Sequence, residues 1–298
     1  MNAMATKLDL RAMGLMVLLC AIWGIQQVAI KVTGTAVPPL LQAAIRSIGA
    51  VLLLWGWCAY KGERLFERDG TLKAGIAIAL LFSLEFALIF AGLRYTTASR
   101  SVLFLYTAPF FIALSAPLLL PGEKLGWRQW LGLLAAFGGV ATLFGDHSAA
   151  LGEQHWLGDI MILVAAAFWA ATTLTIKKAG LTRISSNKVL FYQLAGSALF
   201  FPVAAWIKGE SLDIAWTPAV TGWMLYQVVL VAFASYVGWF WLIKHYPATR
   251  LSVFSFLTPV FGVLSGIALL GEPLSPAVIG ALLLVGGGIA LVNLPQKK

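Results

Sequence analysis

Ten runs of about 17–25 apolar residues, parted only by short polar stretches, leave this chain nowhere to build a soluble domain. They fall at roughly 13–33, 39–60, 73–93, 99–120, 128–144, 157–177, 188–207, 220–243, 249–270 and 276–294. Each is long enough to cross ~30 Å of hydrocarbon as a helix. Composition agrees: 60% of the residues are hydrophobic, 11% are charged, and mean hydropathy is +0.87. A soluble globular domain is far less apolar and far more charged. The expected fold is an all-α membrane protein of ten transmembrane helices, with no ATPase domain in the chain.

The ten runs fall into two copies of one pattern. Residues 1–145 carry Trp23, Lys31, Tyr95-Thr96-Thr97-Ala98-Ser99-Arg100, Thr107-Ala108-Pro109, Gly122-Glu123-Lys124-Leu125 and a Gly138-Gly139 run. Residues 157–298 carry Trp169, Lys177, Tyr246-Pro247-Ala248-Thr249-Arg250, Thr258-Pro259, Gly271-Glu272-Pro273-Leu274 and a Gly286-Gly287-Gly288 run. The Trp-to-Lys spacing is eight residues in both, and 146–156 is the joining loop. Five spans per repeat is an odd number, so the two repeats are expected to be inverted in the membrane. Inverted hydrophobic repeats are the pattern of secondary transporters, with the substrate site between them near the midplane.

Lysine and arginine placement sets the orientation. With the N-terminus inside, sixteen of the 21 Lys and Arg residues lie on the inner segments, among them Lys61, Arg64, Arg68, Lys177, Lys178, Lys297 and Lys298. The outer side keeps Lys31, Arg94, Arg100 and Lys208. The expectation is N-in, C-in. This rule accounts for the net charge of +9 without a nucleic-acid partner. Lys7 and Arg11 before the first run resemble a signal peptide, but the run is too long and carries the first repeat's Trp23 and Lys31, so it reads as a mature span. Cys20 and Cys58 lie inside spans, and His147, His155 and His245 are scattered, so no disulfide, metal or cofactor spacing appears.

The series Trp23-Gly24, Val28-Ala29-Ile30-Lys31, Val37-Pro38-Pro39-Leu40 and Arg46 resembles the opening of EamA-type members of the drug/metabolite transporter superfamily. The Tyr-Thr-x-Ala-Ser, Gly-Glu-x-Leu and Gly-Gly-x-x-x-Leu series resembles the rest of that repeat. Within the superfamily the chain looks most like the YddG-type aromatic amino-acid exporters. The resemblance implies ten helices in two inverted five-helix repeats, alternating access, a bacterial inner membrane, and export of amino acids or related metabolites.

The interior residues are read on their own chemistry. Arg46 and Glu85 are the ionisable residues placed well inside spans, where a charge is costly unless it meets a partner or a water-filled cavity. At 1.5 Å per residue, Arg46 is about 10 Å and Glu85 about 12 Å from the outer ends of their helices. Equal depth permits a structural salt bridge; alternatively Glu85 is an ammonium partner or a proton carrier. Arg46 alone reads as structural, snorkelling outward. Trp23, Gln26 and Gln27 share one helical face, as do Trp169, Thr172 and Thr173. They line a cavity, or they are interhelical glue. Aligning Tyr95 with Tyr246 sets Glu85 opposite Tyr236, an asymmetry that an asymmetric substrate requires. Tyr106 and Trp239 join the candidates, with core packing as the plain alternative. Pro109 and Pro259 are expected to bend two spans and free carbonyls for a cavity wall or hinge. Ala135–Gly139 and Gly286–Ala290 are small-residue pairs suited to close helix contact. Trp55, Trp57, Trp127, Trp130 and Trp206 fall near span ends and read as interface anchors.

The leading function is a secondary exporter of neutral amino acids, aromatic ones included, with the lipid bilayer as its setting and protons as an open coupling partner. A nucleotide-sugar or phosphorylated-metabolite translocator of the same superfamily needs several deep cations, and Arg46 alone is a poor supply. An exporter of another small metabolite or drug stays open. A polytopic membrane enzyme needs a cluster of His, Asp or Glu near one interface, which the sequence lacks.

Overall fold

The computed structural model describes residues 9–119, 126–144, 152–246, 254 and 257–293. Every regular element among them is helical. In chain order these are α1 (Leu10–Thr33), α2 (Pro39–Lys61), α3 (Leu72–Gly92), α4 (Ala98–Leu105), α5 (Ala108–Leu119), α6 (Trp127–Phe144) and α7 (His155–Lys178). Then come α8 (Ser186–Ile207), α9 (Pro218–Leu225), a π-helical stretch (Tyr226–Ala234), α10 (Ser235–His245), α11 (Leu257–Leu270) and α12 (Pro276–Asn293). Local sequence sets the ends. Asp9 accepts a hydrogen bond from Ala12 N at 2.8 Å to start α1, Thr97 and Thr217 do the same for α4 and α9, and Pro39 opens α2. Gly62, at φ 69°, closes α2.

Seven stretches are long and apolar enough to cross a membrane: α1, α2, α3, Ala98–Ser115, α7, α8 and Pro218–Trp239. The chain is thus an all-helical membrane protein. Three of the ten expected spans coincide with α6, α11 and α12, whose apolar stretches among the described residues are only 10–17 residues long. The landmarks Gly122–Leu125 and Pro247–Arg250, most of the joining loop and both chain ends lie outside the described residues.

Pro39 and Pro109 act at helix starts, whereas Pro202 lies inside α8. The fourth span breaks at Tyr106-Thr107, and Pro109 sits in the first turn of α5. At those positions a missing N–H costs nothing, because first-turn donors have no helical acceptor. The freed chain is recaptured locally: Thr107 Oγ1 donates to the Phe104 carbonyl at 2.6 Å.

Packing follows pairs. α1 lies on α11, and α7 lies on α4 and α5; α3 contacts α7 and α8, α2 contacts α8 and the π stretch, and α6 packs along α12. Small residues set the closest approaches. A Cβ on Gly24 would meet Gly262 N and Phe261 Cβ at 2.7 Å, and one on Gly262 would meet Val102. Thus α1 and α11 touch backbone to backbone beside Trp23, and the α11 backbone meets the Val102 side chain of α4. In the α6–α12 seam, Gly139 and Gly288 make the contact, whereas Gly286 faces open space. Trp55, Trp127, Trp130 and Trp206 are exposed, while Trp57 turns against Phe233 with centroids 6.4 Å apart.

Loop contacts tie the ends of the helices. Lys188 donates to Asp69 Oδ2 at 2.7 Å and to the Glu67 carbonyl at 2.8 Å. The Lys188 bond, with help from Thr71, holds the Asp69 carboxyl below the usual carboxylate range. Its stabilisation is complete above the unfolded value of about 3.9 and is lost as pH falls through the lower folded value.

Gly24→Ala is expected to lower the thermal unfolding midpoint in detergent, because overpacking costs about 1–3 kcal/mol. Gly14→Ala, where nothing lies within 4 Å, is the control and is expected to leave the midpoint unchanged or raised.

Candidate functional site

The candidate residues converge from six helical elements. Trp23 on α1 donates through Nε1 to Ser235 Oγ at 2.8 Å and meets the edge of Trp239 at 5.8 Å between centroids. Tyr106, at the break after α4, stands edge-on to Trp169 of α7 at 5.6 Å. Tyr106 and Tyr236 interact electrostatically, which links the α4–α7 aromatics to α10. Tyr236 and Glu85 are in turn the electrostatic neighbours of Arg46. Edge-to-face aromatic pairs contribute about 0.5–1.5 kcal/mol each beyond the area they bury, so this wall is held in shape before any ligand arrives.

Arg46 is the unusual member. It is 1% exposed, so it does not snorkel. Its guanidinium lies 4.1 Å from the centre of the Phe86 ring and 6.0 Å from that of Phe90. Among the described residues, Nε and Nη2 have no hydrogen-bond partner. The salt bridge that equal depth permits is not formed: among the described residues no Glu85 oxygen lies within 4.0 Å of Arg46, and Glu85, 6% exposed, makes no hydrogen bond. Charge-neutralising contact is replaced here by a ring face, a weaker partner worth about 2 kcal/mol when desolvated.

The polar residues below the tryptophans divide. Thr172 and Thr173 donate back to the carbonyls of Phe168 and Trp169 at 3.0 and 3.1 Å, so their hydroxyls are used within α7. Gln27 accepts from Ser101 Oγ at 3.4 Å and joins α1 to α4. Gln26 is 7% exposed and makes no hydrogen bond among the described residues. Pro109 shapes the start of α5, while Pro259 lies in α11, whose preceding residues 255 and 256 are outside the described residues.

The sequence reading left the partners of three charged groups, Arg100, Glu272 and Lys31, unassigned. Arg100, placed on the outer side by the sequence reading, is 1% exposed in α4 and pairs with Asp159 of α7, itself 0% exposed. Asp159 Oδ1 also accepts from Thr96 Oγ1 at 2.6 Å, and Arg100 Nη2 donates to the Leu143 carbonyl. The apolar run around Asp159 hid the partner. Glu272 accepts from the backbone N–H groups of Ala98 and Ser99 at 2.7 and 2.9 Å and from Ser99 Oγ at 2.7 Å. Lys31 donates to the Thr96 carbonyl beside it. The repeated Ala-Ser and Gly-Glu-x-Leu landmarks are therefore two sides of one contact: a carboxylate from the second half caps the positive end of a helix in the first. The repeat itself was the signal for that contact.

Comparison with known proteins fits this arrangement. The profile of the EamA-like transporter family matches residues 10–145 and again 156–294. The chain is 27% identical over 291 residues to the uncharacterized transporter YvbV of Bacillus subtilis, covering 95% of this chain and 92% of that one. It is 27% identical over 286 residues to a probable amino-acid metabolite efflux pump of Salmonella typhimurium, covering 92% of each. It is 24% identical over 284 residues to the uncharacterized inner membrane transporter YedA of Escherichia coli K12, covering 94% and 90%. A solved crystal structure shares the fold at a TM-score of 0.68, with 21% identity and coverage of 95% of this chain and 98% of that one.

Asp159→Asn leaves the Arg100 cation buried without its countercharge and is expected to destabilise the protein by about 3–5 kcal/mol. Replacing both members by apolar residues, Arg100→Met with Asp159→Leu, is expected to recover most of that loss. The check is the unfolding midpoint of the three variants in one detergent.

Proposed function

The chain belongs to the EamA-like transporter family, and on that footing we propose that it is a secondary exporter of neutral amino acids, aromatic and other bulky ones preferred, working by alternating access in the inner membrane. The proposal extends to ten helices in two inverted five-helix repeats with both termini inside, and to a YddG-like aromatic preference. The observation that carries it is the meeting of Trp23, Trp239, Tyr236, Tyr106 and Trp169 with a buried cation and a buried carboxylate. Aromatic walls take up a large apolar side chain, at roughly 0.8 kcal/mol per CH₂ equivalent buried. The two charged groups suit a small molecule that carries both signs.

Further support comes from the packing and from one relative. The profile matches the two halves separately, and the packing pairs are reciprocal: α1 on α11 answers α7 on α4. Glu210, after α8, accepts from Leu40 N and Leu41 N at the start of α2. Glu63, after α2, accepts from Ser185 and Asn187 at the start of α8. Such exchange is what an inverted repeat produces. The Salmonella relative's name supports the substrate class.

Because Arg46 and Glu85 are not locked together, Glu85 is free to alternate between a substrate ammonium and a proton. Competition of the two for one carboxylate makes export a proton antiport.

In proteoliposomes, counterflow of radiolabelled phenylalanine, tryptophan and leucine is expected, with weaker threonine exchange. Discrimination among apolar side chains is expected to be modest, since a methylene is worth only about 1–3 kcal/mol in such a pocket. Transport of a sugar phosphate with no exchange of phenylalanine or leucine would overturn the reading. Glu85→Gln is expected to retain exchange at raised substrate concentration while an imposed pH gradient no longer drives accumulation. A mutant that answers the gradient as the wild type does removes Glu85 as the coupling group.

A further inference from the structure

We propose that the Arg46 guanidinium is the carboxylate anchor of the substrate site, and that Arg46 and Glu85 stand apart so that a zwitterion fits between them. The inference rests on the amino-acid reading above and adds the group that recognises the second charge.

Three observations carry it. First, Arg46 is buried at 1% exposure with Nε and Nη2 unpartnered. A buried cation with no acceptor among the described residues is one of the costliest arrangements in a membrane interior, and a bound acceptor is assigned to it. Second, Phe86 covers the guanidinium near 4.1 Å. A ring over the planar group occupies its face and leaves the N–H edge, which is the edge that grips a planar carboxylate through two parallel bonds. Third, Glu85 and Tyr236 both act electrostatically on Arg46, yet no Glu85 oxygen comes within 4.0 Å. No described group bridges the two, so a small molecule with an acceptor at one end and a donor at the other satisfies both once it enters between them.

Charge balance selects among anions. One cation and one carboxylate sum to zero, which matches an amino acid of zero net charge. A phosphate ester brings two negative charges against one cation and is repelled by Glu85. An amine lacking the carboxylate leaves Arg46 bare, and an acid lacking the ammonium faces Glu85. The side chain of the bound amino acid lies toward the ring of Tyr236 and the Tyr106–Trp169 pair, since those are the aromatics electrostatically or physically linked to the clamp.

The test is competition against counterflow of radiolabelled L-phenylalanine in proteoliposomes, using unlabelled L-phenylalanine, 2-phenylethylamine and 3-phenylpropionate. In the wild type, each analogue is expected to compete at least roughly tenfold more weakly than phenylalanine. In Arg46→Gln, phenylalanine is expected to weaken by roughly tenfold to a hundredfold, down to the level of 2-phenylethylamine, whose own potency stays nearly constant. Arg46→Lys keeps the charge without the fork and is expected to fall between the two. If 2-phenylethylamine matches phenylalanine in the wild type, the clamp is overturned with no variant needed. If Arg46→Gln weakens both ligands by the same factor, Arg46 is a structural residue and the clamp is likewise overturned. Absence of exchange for every amino acid overturns the export reading and the clamp with it, whereas exchange without discrimination overturns the clamp alone.

Discussion

A buried guanidinium whose Nε and Nη2 find no acceptor among the described residues is the constraint around which the rest of this structure is arranged. Arg46 is held against Phe86 and Phe90, within electrostatic reach of Glu85 and Tyr236, and bonded to neither. Folding energetics alone favour an apolar residue at such a position, since replacing buried charges by well-packed hydrophobes is often neutral or stabilising. The surrounding protein tolerates the cost because α2, α3 and the π–α10 rod are fixed by contacts elsewhere.

Those contacts share one physical device. Helix ends carry unsatisfied N–H groups and partial positive charge, and here carboxylates from distant segments supply the acceptors. Glu272 caps α4 and Glu210 caps α2, while Glu63 accepts from the side chains of Ser185 and Asn187, and Ser185 itself caps the backbone start of α8. The buried Arg100–Asp159 pair ties α4 to α7 at the level of the Glu272 cap. A second buried network joins Gln42, Gln227, Thr33 and the carbonyls of Ala29 and Ile30, linking α1, α2 and the π stretch. Polar groups are thus spent on holding helix ends and crossings, and the aromatic interior is left for a ligand. In the proposed transport cycle, these are the bonds that part and re-form as the two halves rock.

Much of the fold was legible because lipid permits few solutions: apolar runs had to be helices, and the repeat landmarks marked their junctions. The aromatic candidates were legible from helical spacing, and Trp23, Trp169, Tyr106, Tyr236 and Trp239 do stand in linked pairs. Other features were hidden for physical reasons. Helical spacing gives a face but not a hydroxyl's partner, so Thr172 and Thr173 looked available when their own α7 carbonyls already hold them. Equal depth gave Arg46 and Glu85 the same level but not the lateral gap between them. Arg100 sat at the edge of an apolar run and was counted among the outer-side cations without a partner, because Asp159 lies 59 residues away in sequence. Proline kinks were expected inside spans, yet the chain breaks its helices just before Pro109 so that the missing donor falls where none is needed.

The central claim is that a bound carboxylate completes Arg46. A structure of the protein with L-phenylalanine bound tests it most directly. The account predicts the ligand carboxylate on the edge of the Arg46 guanidinium at about 2.7–2.9 Å, its ammonium on Glu85, and its ring against Tyr106, Trp169 or Tyr236. Phenylalanine seated elsewhere, or Arg46 closed onto Glu85 with no contact to the ligand, would contradict it.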